Sequence, residues 1–308
     1  MSNQHPKARL TILPVEVEDT YAEAFPMLAG RLLITAENEK WALTAAKTAT
    51  GFASSIIMSP AEAGLESLVP PDKTPDGRPG AMIQIYHRTL PMLKFQLLAR
   101  IGQCILTCPT TAIFNGIQDA KKYTRLGKSI RMFGDGYERL DKAYGKKVWR
   151  IPVMEGEFLI EDRFGLKKAV AGGNLLIMGE NQKAALKASE DAVEAMGKIE
   201  GLVMTFPGGI CRSGSKVGSS KYKLLATTNH FFCPALKGVV PDSKVPSSVN
   251  SIYELVFNGL TEDIIKRGTA VSIKAAMKVP GIVKISAVNF GGKLGPILIK
   301  LKDALEMK

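Results

Sequence analysis

Histidine and cysteine are scarce in this 308-residue chain, with three of one and four of the other. His5, His87 and His230 stand far apart, and the one close pair of cysteines, Cys104 and Cys108, has no histidine beside it. Isolated residues of this kind fit packing positions better than a zinc site, so no metal is expected. With Cys211 and Cys233 the set is too small for a disulfide framework in so long a chain, which points to reduced thiols in a reducing compartment. Long apolar runs are missing as well. Stretches such as Ile56–Met58 and Leu175–Met178 are strand-length, far below the roughly 20 residues of a membrane helix. Met1–Phe25 has scattered charges and no apolar run of the kind that marks a signal or transit peptide. A cytoplasmic protein without a membrane partner is the expectation.

Acidic residues are in deficit, 29 against 41 lysines and arginines, for a formal charge of +12. Such a surface attracts nucleic acid, a membrane surface or an acidic small molecule, and is also simply a well-solvated surface. Charge alone does not choose among these. The 45% of hydrophobic residues suffices for one or two sizeable cores, and the length favours two globular domains.

Shifting the sequence against itself by 143 positions exposes an internal repeat. Glu18-Asp19 falls on Glu161-Asp162, Val17 on Ile160 and Tyr21 on Phe164. Without a gap, Gly30-Arg31-Leu32-Leu33-Ile34 then falls on Gly173-Asn174-Leu175-Leu176-Ile177, and Glu37-Asn38 on Glu180-Asn181; between Gly30 and Ala45 ten positions are identical. Each copy reads as a strand (Arg31–Thr35; Asn174–Met178), an Ala-, Lys- and Glu-rich helix, and a second strand (Ser54–Ser59; Gly201–Phe206). A long loop follows (Pro60–Gly80; Pro207–Asn250), then a third strand (Ala81–His87; Ser251–Phe257), a helix (Pro91–Ile101; Glu262–Met277) and a fourth strand (Cys104–Cys108; Ile282–Ala287). The fold class predicted is α+β, an internal duplication of two ferredoxin-like (βαββαβ) sandwich lobes. The lobes divide as 1–150 and 151–308, the first ending in a Lys- and Arg-rich excursion over 117–150. The closing stretch Pro296–Leu301 is expected to add an edge strand to one of the sheets.

Several motifs are informative by what they are not. Gly172-Gly173 precedes a strand rather than a helix, which excludes a dinucleotide-binding turn. The loop from Gly208 to Lys221 is rich in glycine, hydroxyls and cations but lacks the order of a phosphate-binding P-loop. It can offer N–H groups and cations to an anion, or be an ordinary surface loop. Asn289–Gly295, Thr74–Gly80 and Gly134–Tyr137 read as turns. Glu254 is different, a carboxylate inside the apolar strand Ile252–Phe257. Alternation places it on one face with Ile252 and Val256. If that face is buried its pKa rises towards neutrality, the condition for a general acid or base; the same spacing is met by a carboxylate turned to solvent or paired with a cation.

The blocks Ala49-Thr50-Gly51-Phe52, Pro60-Ala61-Glu62-Ala63-Gly64, Thr74–Gly80, Arg100–Cys104, Phe133–Tyr137, Glu155–Phe158, Val170–Asn174, Phe206–Ile210, Ser215–Ser219, Tyr253-Glu254, Asn258-Gly259-Leu260 and Lys284–Gly295 occur here in one order over nearly the whole chain. In these the chain resembles the formylmethanofuran:tetrahydromethanopterin formyltransferases. The resemblance implies two ferredoxin-like lobes, dimers and tetramers with a cleft at a subunit interface, no metal or prosthetic group, and the two carriers as coenzyme substrates. It assigns the catalytic role to Glu254. Candidate carrier contacts are Ser213, Ser215 and Lys216 in the glycine-rich loop, Asn258, and Asn289 and Lys293 in the last turn. The basic balance, notable at Lys121, Lys122, Arg125, Lys128 and Arg131, is similar to the branch of methylotrophic bacteria. That branch implies an oligo-glutamate tail on a methylofuran-type carrier and a place in a formyltransferase/hydrolase complex. A nucleic-acid-binding module is disfavoured, because the strands carry Leu, Ile, Val and Met where RNA-binding relatives of this architecture carry stacking aromatics. A catalytically retired scaffold is disfavoured by the intact Glu254.

Overall fold

The computed structural model describes residues 15–307. His5 and most of the stretch read as free of a leader, Met1–Phe25, lie outside them. The first lobe begins with β1 (Glu16–Val17) and the fifteen-residue β2 (Tyr21–Thr35), followed by α1 (Glu39–Thr50), β3 (Glu62–Val69), β4 (Gly80–His87), α2 (Leu90–Arg100) and β5 (Ala112–Asn115). An excursion supplies β6 (Lys122–Thr124), α3 (Leu126–Ile130), β7 (Arg139–Ala143), β8 (Lys146–Val153) and β9 (Gly156–Glu161). The second lobe runs through β10 (Phe164–Gly179), α4 (Gln182–Met196) and β11 (Leu202–Met204). It continues with a small hairpin of β12 (Lys216–Val217) and β13 (Ala226–Thr227), then β14 (Ser251–Gly259), α5 (Glu262–Ala276) and β15 (Ile282–Ser286). β16 (Ile297–Lys300) and α6 (Leu301–Glu306) close the chain.

Apart from the hairpin, the strands form one mostly antiparallel sheet, making a mixed α+β fold. In the first lobe β3 pairs with β4, β4 with β2 and β2 with β5. In the second, β11 pairs with β14, β14 with β10 and β10 with β15. The helices that cover one face of each sheet follow from their apolar spacing. α1 buries Ala42, Ala45, Ala46 and Ala49, and α4 buries Ala184, Ala185, Ala188 and Ala192, small side chains that let the helix axis lie close to the strands. Both helices start at matching points of the repeat, where Asn38 Oδ1 accepts from Trp41 N at 3.3 Å and Asn181 Oδ1 from Ala184 N at 2.9 Å. Two cores result, one around Leu32, Ile83, Leu93 and Leu97, the other around Leu175, Leu255, Phe257 and Ile273.

The lobes are joined by the N-terminal halves of the two long strands. Phe25–Gly30 of β2 runs antiparallel to Leu166–Ala171 of β10. Beside this ladder Glu66 is buried between the lobes. It accepts from Arg31 Nε at 2.9 Å and Nη2 at 2.6 Å, from Gln84 Nε2 at 2.6 Å, and from Gly201 N of the second lobe at 2.9 Å.

Two expected strands prove to be other things. Ser54–Ser59 is a turn closed by Met58 N to Ser55 O (3.1 Å), Ser59 N to Ser55 O (2.7 Å) and Ile56 N to the Glu62 carboxylate (2.9 Å). The strand lies instead at Glu62–Val69, inside the stretch expected to be a loop, because its residues find a full register on β4. Cys104–Cys108 is also no strand. The helix ahead continues into a wider turn at Ile101–Ile105, with Leu106 N bonded to Ile101 O at 2.8 Å, and pairing resumes only at Ala112. The 117–150 excursion is largely ordered structure whose β8 runs past residue 150 to pair with β9. The stretch Pro296–Leu301 does supply an edge strand, on Tyr21–Ala24 of β2.

Glu66→Ala is expected to lower stability by about 3–5 kcal/mol, because it strips a buried guanidinium, an amide and a backbone N–H of one shared acceptor. Thermal and urea denaturation measure it, and a change below 1 kcal/mol would show that the knot is not holding the lobes.

Candidate active site

A bend in β10 creates the site. The strand pairs with β2 as far as Ala171, and its ladder with β14, which begins at Val170↔Gly259, slips in register between Val170 and Gly173. Gly172 absorbs the slip with φ +88°, and a Cβ there would stand 2.8 Å from the Phe25 ring, so only glycine fits. On the face opposite the helices this bend opens a cavity of about 500 Å³ between the lobes. The Ser54–Ile57 turn, Phe206, Ser215 and the turn carrying Phe290 and Leu294 wall it in.

Three glutamates and one arginine line this cavity, each in a distinct electrostatic setting. Burial works to raise the pKa of Glu23, but the amides of Phe290, Gly292, Leu294 and Gly295 outweigh it and hold the carboxyl below its usual range. The bonds from Gly292 N and Leu294 N are each 2.7 Å, so an ionised Glu23 pins the last turn against the cavity. Glu62 is shifted upward by burial, opposed by the Ile56 N–H, the Asn258 amide and the charge of Arg88. Glu254 has neither a cation nor an N–H donor on its carboxyl among the described residues. Burial pushes its pKa up to about 7, with only the Cys211 thiol acting the other way. Its backbone is fixed by two bonds to Cys211, Cys211 N to Glu254 O at 2.8 Å and Glu254 N to Cys211 O at 3.1 Å. A rigidly held carboxyl that changes charge near neutrality can both take and give a proton.

The expected site residues separate into groups. Glu254 and Ser215 line the large cavity. Ser213 lies on a smaller cavity behind Glu254, with its Oγ 3.5 Å from Cys211 Sγ. Asn258 is fully buried beneath the site, giving its Nδ2 to Glu62 at 2.7 Å and accepting from Gly172 N at 3.2 Å, so it ties the bend to the other lobe instead of facing the cavity. Lys216 is spent on Thr227 Oγ1 at 2.5 Å within the hairpin. Asn289 donates to Thr20 Oγ1 at 2.9 Å, and Lys293 is exposed on the cavity's outer turn; neither lines the cavity. The basic stretch Lys121–Arg131 does not line it either, and there Arg125 approaches Asp162 at 3.6 Å and Arg131 pairs with Glu138.

Glu23, Glu62 and Arg88 were not foreseen. Glu23 carried a signal: the 143-residue shift sets it on Leu166, so a carboxylate stands where the repeat has an apolar residue. Glu62 was hidden by the misplaced second strand. Arg88 had no signal, following a strand end where any polar residue serves. Among the described residues no group of three or more His, Cys, Asp or Glu could hold a metal ion, and no helix is long and apolar enough to cross a membrane.

Two family models match the chain, one described as formylmethanofuran-tetrahydromethanopterin formyltransferase over residues 10–153, the other as FTR, proximal lobe, over 156–304. The formylmethanofuran–tetrahydromethanopterin formyltransferase of Methanocaldococcus jannaschii is 53% identical over 296 residues, 95% of this chain and 98% of the relative. The solved Methanosarcina barkeri formyltransferase superposes with a TM-score of 0.92 at 51% identity, over 94% of this chain and 98% of that one. A chain of the formyltransferase/hydrolase complex of Methylorubrum extorquens, solved with methylofuran, superposes with a TM-score of 0.91 at 42% identity, over 96% and 98%.

Because burial favours the protonated form of Glu254, its contribution to stability is complete below the unfolded value near 4.5 and is lost as pH rises through about 7. Glu254→Gln is therefore expected to be more stable than the parent above pH 7, by about 3 kcal/mol, with the gap closing towards pH 4. Urea denaturation at pH 4, 6 and 8 checks this, and a gap independent of pH would contradict it.

Proposed function

Because this chain belongs to the formylmethanofuran-tetrahydromethanopterin formyltransferase family, we propose that its inter-lobe cavity brings the two carriers together and that Glu254 moves the protons of the transfer. The chain is a formyltransferase acting between methanofuran and tetrahydromethanopterin in one-carbon metabolism. The observation that carries the mechanistic reading is a buried carboxyl with a pKa of about 7 on the wall of the inter-lobe cavity at the bend.

The reversible reaction joins N5 of the pterin to the formamide carbon through a tetrahedral adduct, which then releases the furan-side amine. Attack makes the pterin nitrogen more acidic, and the Glu254 carboxylate takes its proton. Collapse leaves a basic amine, and the Glu254 carboxylic acid protonates it. Near pH 7 both forms of Glu254 are populated, so one group serves both steps and both directions. Glu23 is held ionised and cannot donate, while Glu62 is committed to Ile56 and Asn258. The Ser215 hydroxyl on the same wall offers a donor to the adduct's oxygen. No prosthetic group enters this scheme; both carriers are coenzyme substrates.

We read the chain as two ferredoxin-like lobes, 1–150 and 151–308. The identical strand order of the two halves and the matching caps Asn38 and Asn181 support this. So does the β2–β10 ladder, which maps onto itself under the 143-residue shift: Phe25↔Ala171 becomes Leu28↔Lys168. The protein works in the cytoplasm as a homo-oligomer, a dimer or tetramer, or within a formyltransferase/hydrolase complex. Exposed Phe133, Tyr137 and Met154 on the excursion offer apolar contact area, and the +12 charge suits an acidic partner or a carrier with an oligo-glutamate tail.

Purified protein mixed with formylmethanofuran, or its methylofuran counterpart, and tetrahydromethanopterin is expected to form the N5-formyl product; no product, with or without partner subunits, would overturn the reading. Glu254→Gln keeps the shape but cannot exchange a proton, so kcat should fall by roughly 10²–10⁴-fold in both directions with carrier binding little changed. A glutamine variant with near-normal kcat removes Glu254 from the mechanism.

A further inference from the structure

Glu254 is a partition between two cavities. Besides the large one, Glu254 lines a small cavity of about 90 Å³, and Glu254 and Val288 are common to both. The small cavity's outer rim is polar and exposed, with Arg212, Ser213 and Thr228. Leu176, Ile252 and Val288 give it apolar lining, and the buried Asn229 adds an amide able to donate and accept. At roughly 30 Å³ per molecule the space holds about three waters, which have the polar partners an ordered water needs. Nothing larger intrudes on the carboxyl from this side: Gly214, in the left-handed region at φ +54°, would place even a Cβ 3.9 Å from Glu254 Oε2.

The reaction gives such a channel work to do. On transfer the N5–H bond breaks and N5–C forms, while the C–N bond to the furan-side amine breaks and an N–H bond replaces it. One proton passing from N5 through Glu254 balances those changes. The released primary alkylamine has a pKa near that of lysine, about 10.4, so near pH 7 it ends as an ammonium and needs a second proton from water. A path that does not run through the large cavity serves that proton while the carriers are seated there.

Resting on the reading of Glu254 as the proton-transferring group, we infer that the small cavity behind it, entered past Arg212, Ser213 and Thr228, is the route by which Glu254 exchanges protons with solvent while the carriers occupy the large cavity. A chain of waters on Thr228, Asn229 and Ser213 delivers one proton per turnover when the amine is released and removes one in the reverse direction. Ser213, expected from the sequence to touch a carrier, acts instead as part of this relay, and the relay residues touch neither carrier.

Thr228→Val and Asn229→Leu make the channel apolar without altering Glu254. In the amine-releasing direction both are expected to lower steady-state kcat about tenfold or more, with KM unchanged. The solvent deuterium isotope effect on kcat should rise, and added imidazolium should restore the rate in proportion to its concentration. Melting curves establish folding; if the buried Asn229→Leu does not fold, Thr228→Val, at an exposed position, decides alone. A folded variant with the parent's kcat and isotope effect overturns the relay. The two readings fail separately: near-normal kcat in Glu254→Gln defeats the site assignment, whereas a disabled Glu254→Gln beside an unimpaired Thr228→Val defeats only the route.

Discussion

The antiparallel ladder between Phe25–Gly30 and Leu166–Ala171 is the constraint on which the rest depends. It turns two four-stranded arrangements into a continuous sheet, and it obliges β10 to bend where it changes partners. That bend, at Gly172, is the floor of the cavity. Had the lobes met through side chains alone, their relative position would rest on packing that can slide. Backbone hydrogen bonds with a defined register do not slide by less than a residue step, and a one-residue slip would exchange the two faces. The buried contacts of Glu66 and of the Glu62–Asn258 pair, 2.7 Å apart across the lobes, reinforce the same registration.

Within that frame three glutamates in one cavity have been given three electrostatic identities. Four backbone amides keep Glu23 ionised, and it serves to hold a turn. Glu62 is partnered and holds the opposite turn at Ile56. Glu254 has only the Cys211 thiol to oppose burial, which pushes its pKa up to about 7. Desolvation costs folding free energy at high pH, which is the usual signature of a group kept for chemistry rather than for stability. The turns held by Glu23 and Glu62 line the same cavity as Glu254, so these two carboxylates position walls of the space it faces.

Much of this could be read in the chain itself. The 143-residue repeat, the paired helices, the third strands and the closing edge strand all followed from local periodicity and turn chemistry, which act over a few residues. Glu254 stood out because a carboxylate in an apolar strand has a local signature. The second strand of the first lobe did not follow, since Ser-Ser-Ile-Ile-Met-Ser has the composition of a strand but no partner to pair with, while Glu62–Val69 has a register on β4.

What the sequence by itself determined is the internal repeat, most of the helices and strands it predicts in each half, and a carboxylate inside an apolar strand, because each is written in the spacing of neighbouring residues. Only the tertiary structure decided that Asn258 and Lys216 are spent on internal bonds, that Glu23, Glu62 and Arg88 belong to the cavity, and that a second small cavity lies behind Glu254. Those outcomes depend on which side chains meet across separations of tens to hundreds of residues, and on how deeply each is removed from water, quantities set by the inter-lobe ladder and by no local pattern.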